Sequence, residues 1–410
     1  MKTILIINQH GDNRGDEAAL SAMVEELGKK VEARFVLFHQ FRDRSLPVNL
    51  SHPATRYSII LSLRQAAGML LYSLFRLVGL HVTFFLDRTC REMVQAFRDA
   101  DLVISAPGGP YFGDLYKNHE LVHWFFVWLG VQNGKKLFLY APSAGPFRNL
   151  LLNPIRRYFF KKFDTVCLRE EVSAKNLAGL MGKDFPIHIT ADSALQKEID
   201  PRGGASLIKI PADAKDPFLV AITAIDYRYP GASKAEKKVL RDHYLDIMEA
   251  VGEFLCERKS VHFVFLPQLY GKFHSDRAIQ EHVAKALPLG ASWEIVAPEL
   301  NSEQHQKIVA NADMCIACRY HPQIFAASAH VPALCIYYEH KTLGFLKAMG
   351  ITEYGHDIWS LDKPKVLASL EQLLANREGI RERLQKAMPS LREKARTTTR
   401  LAVELLEDPR

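Results

Sequence analysis

Short apolar runs alternate with helical patterns along almost the whole chain, in two series separated by one stretch rich in Pro, Gly and Asp (residues 197–217). The first series holds the runs KTILIIN, ARFVLFH, DLVISAPGG, KLFLYAPSAGP and DTVCLRE, with helical patterns at 17–31, 91–99, HWFFVWLGVQNG and VSAKNLAGLMG. The second holds FLVAITAID, SVHFVFLPQ, EIVAPE, MCIAC and ALCIYY, with helices at 235–258, near 276–286 and at 302–310, and closing helices at 361–376 and 377–406. Near-continuous apolar strands alternating with helices argue for parallel sheets covered on both faces. At 410 residues the chain exceeds one ordinary core. The expected architecture is α/β, with two Rossmann-like halves facing each other across a cleft.

Charge narrows the partners. A net charge of +7 is mildly basic and fits anionic small molecules or an acidic membrane surface. No Lys/Arg-dense block with interleaved aromatics occurs, so nucleic acid is not expected. The six cysteines are scattered, mostly inside apolar runs, and the lone CxxC of Cys315 and Cys318 lies in strand-like MCIAC. That pattern reads as packing in a reducing cytoplasm, without a zinc or redox role. The start, MKTILIINQHGD, carries too short an apolar run for a signal peptide and reads as a first strand. Residues 57–86 are the most apolar segment, but Arg64, Gln65 and Arg76 interrupt them, which argues against a spanning helix. An amphipathic helix or helical pair is expected there, packed on its own domain or lying at the membrane interface.

Parallel strands leave their carboxyl ends at one sheet edge, where open α/β sheets bind ligands. The densest chemistry falls in residues 312–350. One apolar run there delivers Arg319 and His321 to its end, and a second delivers Lys341. Three basic side chains of different chemistry suit a small, multiply charged anion. In the first series Arg169 closes DTVCL near Ser173, where its fork can hold a carboxylate or phosphate, or pair with Glu170 or Glu171. The turn NQHGDNRGDEAAL supplies Asn13, Gly15, Asp16 and Glu17, and either carboxylate could serve as a base. Gly108 and Gly109 mark a second turn and Ser143, in SAGP, a third, all at the same edge. His262, His274, His330 and His340 gain no comparable support from their surroundings in the sequence. No HExxH, acidic cluster or P-loop appears, so no metal is expected.

These blocks together resemble the polysaccharide pyruvyl transferase family. The resemblance rests on NRGDEAAL, GGPYFGD, SAGP, LREEVSAKNL, TADSAL, FLPQ with HSD after it, and above all CRYHPQIFAASAHVPALCIYYEHKTLGF, in family order over roughly residues 3–350. The apolar segment 57–86 lies outside these blocks, and NQHGDNRGD is less glycine-rich than the family's usual first loop. The resemblance implies a GT-B-like fold: residues 1–200 as the first Rossmann-like domain with an insertion near 57–90, 201–385 as the donor-binding domain, and 386–410 as a helix returning to the first. It also implies phosphoenolpyruvate as donor, no separate cofactor, and a saccharide acceptor, often lipid-linked, met in the cytoplasm or at the inner membrane face. Arg169, Arg319, His321 and Lys341 would then hold the donor, with His321, Arg319 and Asp16 as catalytic groups. Asn13, Gly15, Glu17, Gly108, Gly109 and Ser143 would form loops toward the acceptor. On the same architecture a nucleotide-sugar glycosyltransferase, with Glu339 holding a ribose, and a non-catalytic saccharide-binding protein are the other readings.

Overall fold

Alternate residues of the first strands divide into two buried clusters, and both are apolar. Ile4, Ile6, Phe35, Leu37, Leu102 and Ile104 belong to one; Leu5, Ile7, Val36, Phe38 and Val103 belong to the other. A strand apolar on both faces requires cover on each side, which is the parallel-sheet solution. The computed structural model describes residues 1–40, 50–114, 117–212, 214, 216–271 and 274–409. Among them, seven strands form the first sheet in the order Ala54–Ser58, Ala33–His39, Lys2–Gln9, Leu102–Ser105, Lys136–Tyr140, Thr165–Leu168 and His188–Ile189, every pair parallel.

The second sheet runs Ser292–Ile295, Val261–Phe265, Phe218–Ile222, Met314–Ala317, Ala333–Tyr337 and Gly355–Asp357, again all parallel. Strand order reverses between Lys2–Gln9 and Leu102–Ser105 in the first sheet, and between Phe218–Ile222 and Met314–Ala317 in the second. Such switch points open a crevice beyond the strands' carboxyl ends. Cys315 and Cys318 are both fully buried, and burial pushes the Cys318 thiol up to about 12, consistent with packing.

The lobes are tied together at the first helix (Arg14–Lys30). Its Ala18 and Ala19 belong to the core cluster of the second lobe. Just before it, Asn13 bridges Leu269, and the Arg14 amide donates to the Gln268 carbonyl at 3.0 Å. The buried Arg14 guanidinium donates to Glu17 at 2.6 Å and to the Pro298 carbonyl at 2.6 Å. The other Glu17 oxygen accepts from the Ser302 amide at 3.2 Å. A buried ion pair with hydrogen bonds on both partners holds its geometry closely.

The long helix Arg377–Glu407 spans both lobes. Ile380, Leu384 and Met388 pack in the second core, while Ala402, Leu405 and Leu406 complete one face of the first. Thr399 fastens the crossing through Tyr140 and Gln196. Within residues 57–86 the structure has one helix, Leu63–Leu77, rather than a pair, opened by a capping box of Ser62 and Gln65. No helix among the described residues is long and apolar enough to cross a membrane.

Candidate active site

Four elements of the first lobe and two of the second bring the candidate residues together. Arg169 follows the strand Thr165–Leu168 and is buried. Its Nε donates to Ser143 at 2.9 Å and to Glu170 at 3.1 Å, and its Nη1 donates to Asp192 at 2.5 Å. Nη2 is buried with no hydrogen-bond partner. Burial works against the Arg169 charge, but Asp192 and Glu170 outweigh it and raise the guanidinium above its ordinary value. Burial likewise pushes the Asp192 carboxyl up, yet Arg169 and the Ala194 amide hold it below the usual carboxylate range.

His321 lies in the first turn of the helix Tyr320–Ser328, not on a strand end. Its Nε2 lies 3.7 Å from Asp192 and has no hydrogen-bond partner. Burial, helped by Arg169 and Lys341, lowers its pKa to about 3, so the ring is neutral near pH 7. The ring rests on Gly15: a Cβ built there would lie 1.9 Å from Nδ1 and 2.7 Å from the His321 Cβ. Gly15 is therefore required by close approach. Gly15→Ala is expected to cost about 1–3 kcal/mol through overpacking, read as a lower thermal midpoint.

Asp16, next along the first helix, is buried. Burial raises its carboxyl to about 6, against the pull of Arg169, Lys341 and a Gly109 backbone hydrogen bond, and with a push from Asp192. Asn13 caps the same helix by accepting from the Gly15 amide at 2.8 Å. Gly108 takes φ 138°, a left-handed value that favours glycine, at the start of the turn that brings Gly109 to Asp16.

Lys341 sits in the first turn of the helix His340–Met349, with its Nζ 2.5 Å from Glu339. Tyr320 has two cations near its ring: the Arg169 guanidinium carbon is 5.0 Å from the ring centre and Lys341 Nζ is 5.2 Å. Cations over an aromatic face are held electrostatically. Three helices enter this region at Glu171–Met181, Tyr320–Ser328 and His340–Met349, and none has a side-chain cap. Their first amides carry the positive end of the helix dipole and suit an anion.

Two expected residues are held by partners outside this cluster, although Arg319 stays close enough to Glu339 to help lower its carboxyl. Arg319 grips Asp276 through two nitrogens, at 2.9 and 2.5 Å, and Asp276 also accepts from the Gln268 and Leu269 amides. Glu17 is fully buried in the link between lobes. The structure thus gathers Gly15, Asp16, Gly109, Ser143, Arg169, His321 and Lys341. It adds Asp192, Tyr320 and Glu339, which the strand-end argument did not select. Asp192 and Asp276 lie in TADSAL and HSD, blocks that carried the resemblance, and that was the available signal. Each cation arrives with a carboxylate of its own, so the site is not a bare positive pocket.

Comparison with known proteins adds the family relationship. The profile of the family described as polysaccharide pyruvyl transferase matches residues 13–340. The amylovoran biosynthesis protein AmsJ of Erwinia amylovora is 25% identical over 409 residues, covering 95% of each chain. Among solved structures, a putative UDP-N-acetylglucosamine 2-epimerase from Listeria monocytogenes superposes with a TM-score of 0.59 at 15% identity, covering 97% of this chain and 94% of that one. Sucrose-phosphate synthase from Thermosynechococcus elongatus gives a TM-score of 0.56 at 14% identity, covering 99% of both. These likenesses establish the GT-B fold.

Proposed function

The chain belongs to the polysaccharide pyruvyl transferase family, and from that premise we propose that it moves the pyruvyl group of phosphoenolpyruvate onto a sugar of a lipid-linked saccharide, closing a cyclic ketal. The setting would be exopolysaccharide assembly, the Erwinia relative being an amylovoran biosynthesis protein, and the reaction would take place on the cytoplasmic side of the membrane. The reading needs no cofactor beyond the donor. The observation that carries it is geometric: a buried carboxyl, Asp16, shares one site with Arg169, whose buried Nη2 has no partner, and with Lys341.

Phosphoenolpyruvate presents a carboxylate and a phosphate. Arg169 Nη2, the remaining Lys341 hydrogens and the uncapped helix amides supply donors for both. Protonated Asp16 gives its proton to the methylene carbon, and a sugar hydroxyl attacks the oxocarbenium-like centre and returns its proton to Asp16. The C–O bond to phosphate breaks, a second hydroxyl closes the ketal, and its proton leaves with the phosphate. Neutral His321 donates one hydrogen bond without adding charge. Arg319 acts as a positioning residue, held by Asp276 ahead of the helix that carries His321.

Thermal-shift titration with phosphoenolpyruvate, UDP and GDP tests this. Stabilisation by phosphoenolpyruvate, reduced in His321→Ala and Arg319→Ala, is the expected result. Stabilisation by a nucleotide alone would replace the reading with a glycosyltransferase, although Glu339 is already engaged by Lys341.

A further inference from the structure

The helix Leu63–Leu77 is amphipathic the wrong way round. Met69, Tyr72 and Ser73 face inward, while the solvent side carries Leu63, Leu70, Leu74 and Leu77, with Leu63 92% and Leu74 60% exposed. A soluble surface helix puts polar residues outward. The apolar side continues into Phe84, which is 85% exposed.

This stripe is part of a wider face. The helix Lys117–Gln132 lies beside it, with Trp128 Nε1 donating to Ser73 at 2.9 Å and Arg76 donating to the Gln132 carbonyl at 2.7 Å. On its other side Trp128 meets Tyr158, ring centres 6.2 Å apart, in the helix Asn153–Phe160. The segment leading into that helix exposes Leu150 and Leu151. Apolar residues exposed over three neighbouring elements exceed the scattered exposure of ordinary surfaces.

Charge selects the occupant. Residues 57–86 and 147–163 contain no Asp or Glu. They expose Arg64, Arg148, Arg157, Lys161 and Lys162. A second copy of the chain seated face to face would oppose these cations to themselves, which is repulsive. An anionic bilayer offers both an apolar layer for the leucines and negative headgroups for the basic rim. We infer that the face built by Leu63–Leu77, residues 78–86 and residues 147–162 docks the enzyme monotopically on an anionic lipid surface.

The face continues toward the first loop of the first lobe. Leu121 and Val122 are exposed on the first turns of Lys117–Gln132, where buried Glu120 accepts from the Gly113 amide at 3.0 Å and His123 meets His10 of the first loop at 5.3 Å between ring centres. A saccharide still joined to a lipid would thus enter between the lobes without leaving the bilayer surface. That last step rests on the pyruvyl transfer reading; the docking itself does not.

The test is co-sedimentation of the full chain with phosphatidylcholine vesicles, with and without phosphatidylglycerol. Wild type should bind the anionic vesicles. Leu74→Glu with Phe84→Glu, and separately Leu150→Glu with Leu151→Glu, should each lower the partition about tenfold or more. Lys161→Glu with Lys162→Glu should lower binding to anionic vesicles only. All are surface changes, and unchanged circular dichroism melts verify the fold. Wild type remaining in the supernatant with both vesicle types overturns the inference, as do variants that sediment like wild type. A concentration-dependent dimer dissolved by the glutamates would overturn it in favour of a second copy. Phosphate release from phosphoenolpyruvate with a water-soluble glycoside should be unchanged in every variant. If no form releases phosphate, the pyruvyl transfer reading falls and the vesicle result stands by itself.

Discussion

Exchanging Arg169 for methionine is expected to lower kcat/KM for phosphate release by about 10²–10³-fold, the scale of losing one preorganised charge-stabilising donor. The same change should cost about 3–5 kcal/mol of folding stability, because it leaves buried Asp192 ionised without its partner. The two effects separate in a double variant. Arg169→Met with Asp192→Leu removes both charges and should recover much of the denaturation midpoint while activity stays lost. Arg169→Lys should stay well below wild type, since an ammonium cannot reach Ser143, Glu170 and Asp192 together as the planar fork does. Full activity in Arg169→Met would remove the donor clamp from the proposed mechanism.

Asp16→Asn should fail in the opposite direction on stability. Loss of a proton-transfer group predicts an activity drop of about 10²–10⁴-fold. Burial raises the Asp16 carboxyl to about 6 in the folded protein, against 3.8 for the ordinary side chain. Between those values the folded state binds the extra proton, so this group's contribution to stability falls as pH rises through the window. Near pH 7 the asparagine should therefore be more stable than wild type, by on the order of 2–3 kcal/mol. Below about pH 4 both forms are neutral and the advantage should vanish. Melting curves over pH check this, and kcat/KM of wild type should decline above about pH 6 as the donor proton is lost. An asparagine variant less stable at pH 7 would mean that the carboxylate, not the acid, is the form the fold favours.

The sheets were legible because both faces of each strand are apolar, as the two clusters around Ile4 and Leu5 illustrate. Much of the site was legible for a related reason. Arg169, Ser143, His321 and Lys341 each follow a strand, and parallel strands bring their ends to one edge. The choice of partner was not legible. Arg319 and Arg169 look alike in sequence, yet one turns to Asp276 and the other to Asp192. Both aspartates come from loops that strand order does not position. Glu17 read as a site carboxylate like Asp16, but one residue along a helix turns a side chain by about 100°, and that rotation points it at Arg14 and Ser302. The apolarity of residues 57–86 was plain from composition. Which of its leucines would face outward depended on packing against Trp128 and Gln132.

The long helix Arg377–Glu407 has a consequence for synthesis. Chains emerge from the ribosome in order, and domains generally fold as units, the earlier ones first. Here the face of the first sheet formed by Ile4, Leu37 and Ile104 is closed by Ala402, Leu405 and Leu406. Those residues emerge only after every strand of the second lobe. The nascent first lobe therefore waits with an open apolar groove while the second lobe is made, and the last turns of the helix act as its closing seam.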